Sequence, residues 1–185
     1  MTTALILATW STWVSASIGV GLLVLRTLKI QLTLRGEFHA ALWVGLALLL
    51  VLTSGAQLFI GLGHTLGSVL AVAVLLVGVI YLLWTLWTRR REFRAPFARS
   101  ITWRRLPVLI ALGLFAIGLI DMAYLATGEP MDADAGSYRI GSILYAADYR
   151  LIPGLAHLHF RFGFNSSLWP FAAFVGQGPW TGQGY

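Results

Sequence analysis

Between Asp132 and Trp169 the chain reads DADAGSYRIGSILYAADYRLIPGLAHLHFRFGFNSSLW. This stretch gathers three Asp, three Arg, two His and an Asn165-Ser166-Ser167 step in a chain that is otherwise poor in polar side chains. His157 and His159 stand two apart and share a face only if the backbone there is extended. No third ligand accompanies them, so contact with a substrate phosphate or hydroxyl, with Arg161 nearby, is preferred to a metal site. Asp132 and Asp134 precede apolar positions Ile140, Ile143, Leu144 and Ala147, whose spacing predicts a helix from Ser137 to Tyr149. By residue type alone, carboxylates in that place read first as helix caps and second as catalytic groups.

The remaining elements are set by breaks. Thr127-Gly128-Glu129-Pro130 and Pro153-Gly154 interrupt helices. Asn165, Ser166 and Ser167 are strong caps, so a short helix is predicted from Ser166 or Ser167. It is too short to cross a membrane before Gly176, Gly178 and Pro179 end it. The tail from Gly176 to Tyr185 is Gly-rich and reads as loose.

What must position this segment is a membrane domain. Of 185 residues, 58% are hydrophobic and 11% charged, and the mean hydropathy is +0.78. Four apolar runs, Ala4–Leu25, Phe38–Leu62, Leu66–Trp87 and Leu106–Ala126, have the length that a hydrocarbon core of about 30 Å requires. Helices are the predicted form, because backbone polar groups in lipid must pair within their own segment. The expected fold is therefore all-α and polytopic: four transmembrane helices, followed by an extracytoplasmic segment with short interfacial helices. Residues 1–127 form the membrane region and residues 128–185 the outer segment. Without cysteine, disulfides and thiolate metal sites are excluded.

Charge predicts the orientation. No Lys or Arg precedes the first run, against a signal peptide and for a retained helix with its N-terminus outside. Arg26, Lys29 and Arg35, with the seven Arg of the 88–105 loop, make ten of the thirteen basic residues, all on one side. That side is expected to be the cytoplasm. Asp121, Glu129, Asp132, Asp134 and Asp148 fall on the other. Trp84, Trp87 and Trp103 bracket the Arg-rich loop, and Trp10 and Trp13 are expected near an end of the first span, as an interfacial belt requires. The bacterial cytoplasmic membrane is the expected location.

Phe93, Phe97 and Ile101 recur every four residues, which suggests a short helix lying on the cytoplasmic surface, with Pro96 at its start or interrupting it. Its arginines could hold anionic lipid or a lipid diphosphate, but a topogenic role is preferred, and nucleic acid is not expected as a partner. Asp121, inside or at the outer edge of the fourth span, is either a functional residue or a side chain reaching interfacial water. A haem or pigment would need an axial ligand; His39 and His64 sit near span ends, so no cofactor is expected.

Three stretches carry a resemblance: Asp134-Ala135-Gly136-Ser137-Tyr138, Ile152-Pro153-Gly154-Leu155-Ala156-His157-Leu158-His159 and Gly163-Phe164-Asn165-Ser166-Ser167, with Gly55-Ala56-Gln57-Leu58 in the second span. In types and spacing they resemble a family of uncharacterised bacterial polytopic membrane proteins, itself similar to the GT-C superfamily of membrane glycosyltransferases. Ala135 and Arg139 stand where that pattern has Thr and His. The resemblance implies sugar transfer from a polyprenyl-phosphate donor outside the cytoplasm. It implies Asp134 as general base, Arg139, His157, His159 and Arg161 toward the donor phosphate, and Tyr138 and Asn165 toward the sugar or loop order. GT-C enzymes carry further spans after this loop, so the implied identity is the N-terminal part of such an enzyme or a truncated relative. The alternative is a non-catalytic accessory subunit of a larger membrane complex, respiratory or photosynthetic, with the outer segment packed on its partners.

Overall fold

The computed structural model describes residues 2–92, 106–128, 138–154, 157, 160 and 166–177. Four helices are long and apolar enough to cross a membrane: α1 (Thr3–Thr27), α2 (Leu34–Gln57), α3 (Thr65–Thr88) and α4 (Leu106–Leu125). Two short helices follow, α5 (Ile140–Asp148) and α6 (Leu168–Val175). The described residues contain no strand. The chain is an all-α, multi-pass membrane protein.

α1 is the centre, packed on both α2 and α3. Lipid tails are as apolar as leucine, so helices in a membrane associate through close backbone approach at small residues. That is what this interface uses. A Cβ added at Gly19 would stand 1.7 Å from the Gly78 carbonyl oxygen, and one at Gly45 would stand 1.8 Å from that of Ser17. On α2 the buried stripe runs Glu37, Ala41, Gly45, Leu49, Thr53, one residue every four. Several hydroxyls within the spans bond their own helix: Thr9 donates to Leu5 O at 2.9 Å, Ser17 to Trp13 O at 2.8 Å and Thr53 to Leu49 O at 2.8 Å. Such back-bonding satisfies hydroxyls that lipid cannot.

The second span differs from its expected bounds at both ends. It begins at Leu34 rather than Phe38, with the Thr33 hydroxyl accepting from the Gly36 N–H at 3.3 Å. The charge of Glu37 does not delay the helix because two arginines neutralise it, as described below. It ends at Gln57 rather than Leu62, because residues 58–64 form a turn whose backbone bonds α5.

Trp13 also differs from expectation. It is 5% exposed and lies in the bundle, not in an interfacial belt. Its ring meets Phe174 at 5.4 Å and Phe171 at 6.5 Å between centroids. Trp13 stands ten residues into α1, about 15 Å along the axis. α6 therefore wedges deep among α1, α2 and α3 rather than resting on top of them.

A helix end inside a bundle needs partners for its free carbonyls. α6 has them. The Gly176 N–H donates to Ala172 O at 3.0 Å and the Gln177 N–H to Phe174 O at 3.2 Å. The buried Gln177 amide donates to Ala173 O at 2.9 Å and accepts from the Ser68 hydroxyl at 3.4 Å. At its start, the Leu168 N–H donates to the Ser166 hydroxyl at 3.3 Å, as the Asn-Ser-Ser step predicts.

Candidate functional site

The chemistry-bearing segment is anchored at the end of the bundle formed by the α2–α3 turn. α5 ends with three carbonyls that its own helix cannot satisfy, and the turn supplies the donors. Leu62 N–H donates to Ala146 O at 3.0 Å and Gly63 N–H to Ala147 O. The His64 ring, through Nε2, donates to Asp148 O at 2.8 Å. Beyond α5, the Leu151 N–H donates to the Gln57 carbonyl at 2.7 Å. Gly61 and Gly63 are required by this approach: a Cβ at either would come within 2.9 Å of the α5 backbone. The helix itself follows the sequence, with Ile143 and Ala146 buried. Its α-helical part runs from Ile140, preceded by a wider helical turn at Tyr138–Arg139; Ser137, the expected start, lies outside the described residues.

Tyr138 and Trp169 meet edge to face, 6.2 Å between ring centroids. This contact joins the two flanks of the segment across some thirty residues of chain, where aromatic pairs favour such offset geometry. Arg139 is exposed beside it. His157 is exposed as well, and its N–H donates to the carbonyl of Gly154, a residue with φ of +88°, at 2.9 Å. Asp134, His159, Arg161 and Asn165, and the acidic cap expected at Asp132–Asp134, lie outside the described residues. So do the greater part of the Arg-rich surface helix and the tail from Gly178. Among the described residues no group of three or more potential metal ligands occurs.

Beside the anchor runs an apolar groove between α2 and α3 of about 480 Å³. Leu49, Thr53, Ala56, Phe59 and Leu70 line it, and Phe174 of α6 closes one side. A second recess of about 240 Å³, walled by Ser54, Gln57, Leu151 and Pro170, adjoins it through Gly55 and Leu58. The groove thus passes from the lipid-facing flank of the bundle toward the polar end where α5 is bound.

The opposite end of the bundle holds an ion-pair cluster that sequence reasoning missed. Glu37 is 8% exposed. Its carboxylate pairs with Arg89 at the end of α3 and, at 3.6 Å, with Arg26 at the end of α1. Arg26 also lies over the rings of Tyr81 and Trp84, at 5.5 and 5.8 Å. Arg89 in turn donates to Glu92 at 2.7 Å. These hydrogen bonds, first to Glu92 and then to Glu37, raise the Arg89 pKa further, and the Arg89 hydrogen bond holds Glu92 below the usual carboxylate range. The signal was present in the sequence: one turn before Ala41, the every-fourth-residue stripe of α2 lands on Glu37. The cluster fastens three helices, which is a structural role.

A family model described as a domain of unknown function (DUF8201) matches residues 4–178. No curated protein and no solved structure matches the chain.

Proposed function

The chain belongs to the DUF8201 family, a domain of unknown function, and we propose that it supplies the outer-loop portion of a GT-C-like membrane glycosyltransferase that uses a polyprenyl-phosphate sugar. Asp134 takes the proton of an acceptor hydroxyl as that oxygen attacks the anomeric carbon, and the bond to phosphate breaks to release the polyprenyl phosphate. In this reading Arg139, His157, His159 and Arg161 serve the donor phosphate, and Tyr138 and Asn165 serve the sugar or the order of the loop. The enzyme lies in the bacterial cytoplasmic membrane with this loop outside.

One observation carries the reading: the Tyr138–Trp169 contact at 6.2 Å. Tyr138 closes the Asp134–Tyr138 motif, and Trp169 follows Asn165 by four residues, so the contact ties the ends of the two motif stretches to one place. The groove beside the α5 anchor supports a lipid-linked substrate: an apolar chain fits along Leu49, Ala56 and Phe59, with its headgroup toward the polar end.

The test is transfer of sugar from a polyprenyl-phosphate donor in membranes containing Asp134→Asn. Loss of a general base costs about 10² to 10⁴ in rate, and the melting temperature should be unchanged. Transfer at the wild-type rate would remove Asp134 from the reaction.

A second reading, an accessory subunit of a larger membrane complex, is favoured by one feature, the nearly complete exposure of α4, of which only 6% is buried. Under it the same Asp134→Asn change would leave the stoichiometry and activity of the complex intact.

A further inference from the structure

α4 meets the rest of the bundle chiefly through α1. Its one buried residue is Ala123, with Leu119 partly covered one turn earlier. Asp121 is two residues from Ala123, which places it about 160° away around the helix. It therefore faces outward, and it makes no hydrogen bond or ion pair among the described residues. Its neighbours on that face are Leu114, Gly118 and Leu125; Leu114 and Leu125 are 65% and 67% exposed. A Cβ at Gly118 would meet nothing within 4 Å. Asp121 is four residues short of the helix end, about 6 Å below it. A side chain with one methylene does not reach across that distance, and a carboxylate against hydrocarbon is costly.

We infer that the Leu114–Gly118–Asp121 face of α4 docks a transmembrane helix of a different polypeptide, one carrying Lys, Arg or His in its outer third, opposite Asp121. Charge complementarity selects this occupant. A second copy related by a two-fold axis along the membrane normal would set Asp121 against Asp121, and like charges repel. Lipid alone would leave the carboxylate without a donor. Gly118, one turn from Asp121, lets the partner backbone come close enough for the pair to form. The inference stands apart from the catalytic reading, since it uses no residue of the outer segment.

Two experiments test it. In the first, a photoreactive phenylalanine replaces Leu114 or Gly118, with Leu119 as the inward control, and intact membranes are irradiated. The expected product is an adduct from Leu114 and Gly118 to another polypeptide, mapped to a transmembrane segment that carries a basic residue, and lost in Asp121→Leu. Adducts between two copies, adducts to a segment without a basic residue, or adducts to lipid only would each overturn the proposal. In the second, the purified protein in vesicles is titrated with a poly-leucine transmembrane peptide bearing one Arg near its outer end. This peptide should bind about ten-fold more tightly than its all-leucine counterpart, and Asp121→Leu should erase the difference while leaving the melting temperature unchanged. Equal binding of both peptides to the wild-type protein refutes the charge pairing.

Discussion

At the scale of single residues, charge decides the most. Glu37 sits on the buried stripe of α2 and is reached by guanidiniums from α1 and α3. Removing one partner of a fully buried pair costs about 3–5 kcal/mol, and exposed pairs are worth about 0–1 kcal/mol. The Arg26 and Arg89 side chains are 29% and 24% exposed, so Glu37→Gln should cost about 2 kcal/mol, between those limits. A melting temperature equal to wild type in detergent would show that the cluster holds nothing together. Glu92 gives a pH signature. Its carboxyl is depressed in the folded protein by the Arg89 hydrogen bond. Its contribution is therefore present above the ordinary carboxylate pKa of about 4.3 and fades as pH falls through the lower folded value. Arg89 is raised, so its contribution is present throughout and would be lost only at strongly alkaline pH. Stability should thus show a small acid-side loss that Glu92→Gln abolishes, with no change between neutral and mildly alkaline pH. An acid limb of equal size in both proteins would assign the loss to other groups.

At the scale of elements, the closest contacts are backbone on backbone. Gly19 and Gly78 cross where neither helix has room for a methyl group. Gly19→Ala must push α1 and α3 apart, at a cost of about 1–3 kcal/mol. Faster proteolysis of the α2–α3 turn is the expected readout, and wild-type resistance would mean that the helices part without penalty. α6 was legible as a short helix with a Ser cap, and its limits near Ser167 and Gly176 match the structure. Its depth was not legible. An apolar octapeptide followed by Gly-Gln reads equally well as a surface helix. What seats it is the Trp13–Phe174 contact and the Gln177 amide, which meets both Ala173 and Ser68. Neither contact has a local sequence signature.

At the scale of the whole molecule, α1–α3 form the frame, α5 and α6 close one end of it, and the Arg26–Glu37–Arg89 cluster fastens the other. The two ends carry opposite functional promise, and their sides of the membrane are open to direct test. A cysteine at Ser137 should react with an impermeant thiol reagent in intact cells, and one at Ser100 should not. The reverse pattern would invert the orientation and place the Asp134 loop in the cytoplasm, which a donor used outside forbids. By itself the sequence determined the number of spans, because hydrocarbon thickness fixes their length. It determined the expected sides through the clustering of arginines. It determined the helical spacing of Ile140–Ala147, because a short amphipathic helix writes its face into its periodicity. The tertiary structure decided which apolar faces meet protein and which are left outward. It put Trp13 inside, Glu37 on a core stripe and Asp121 on the far side of α4. The physical reason is that within a membrane both surroundings are apolar, so hydrophobicity cannot separate a packed face from a lipid face. Only the approach of another backbone can.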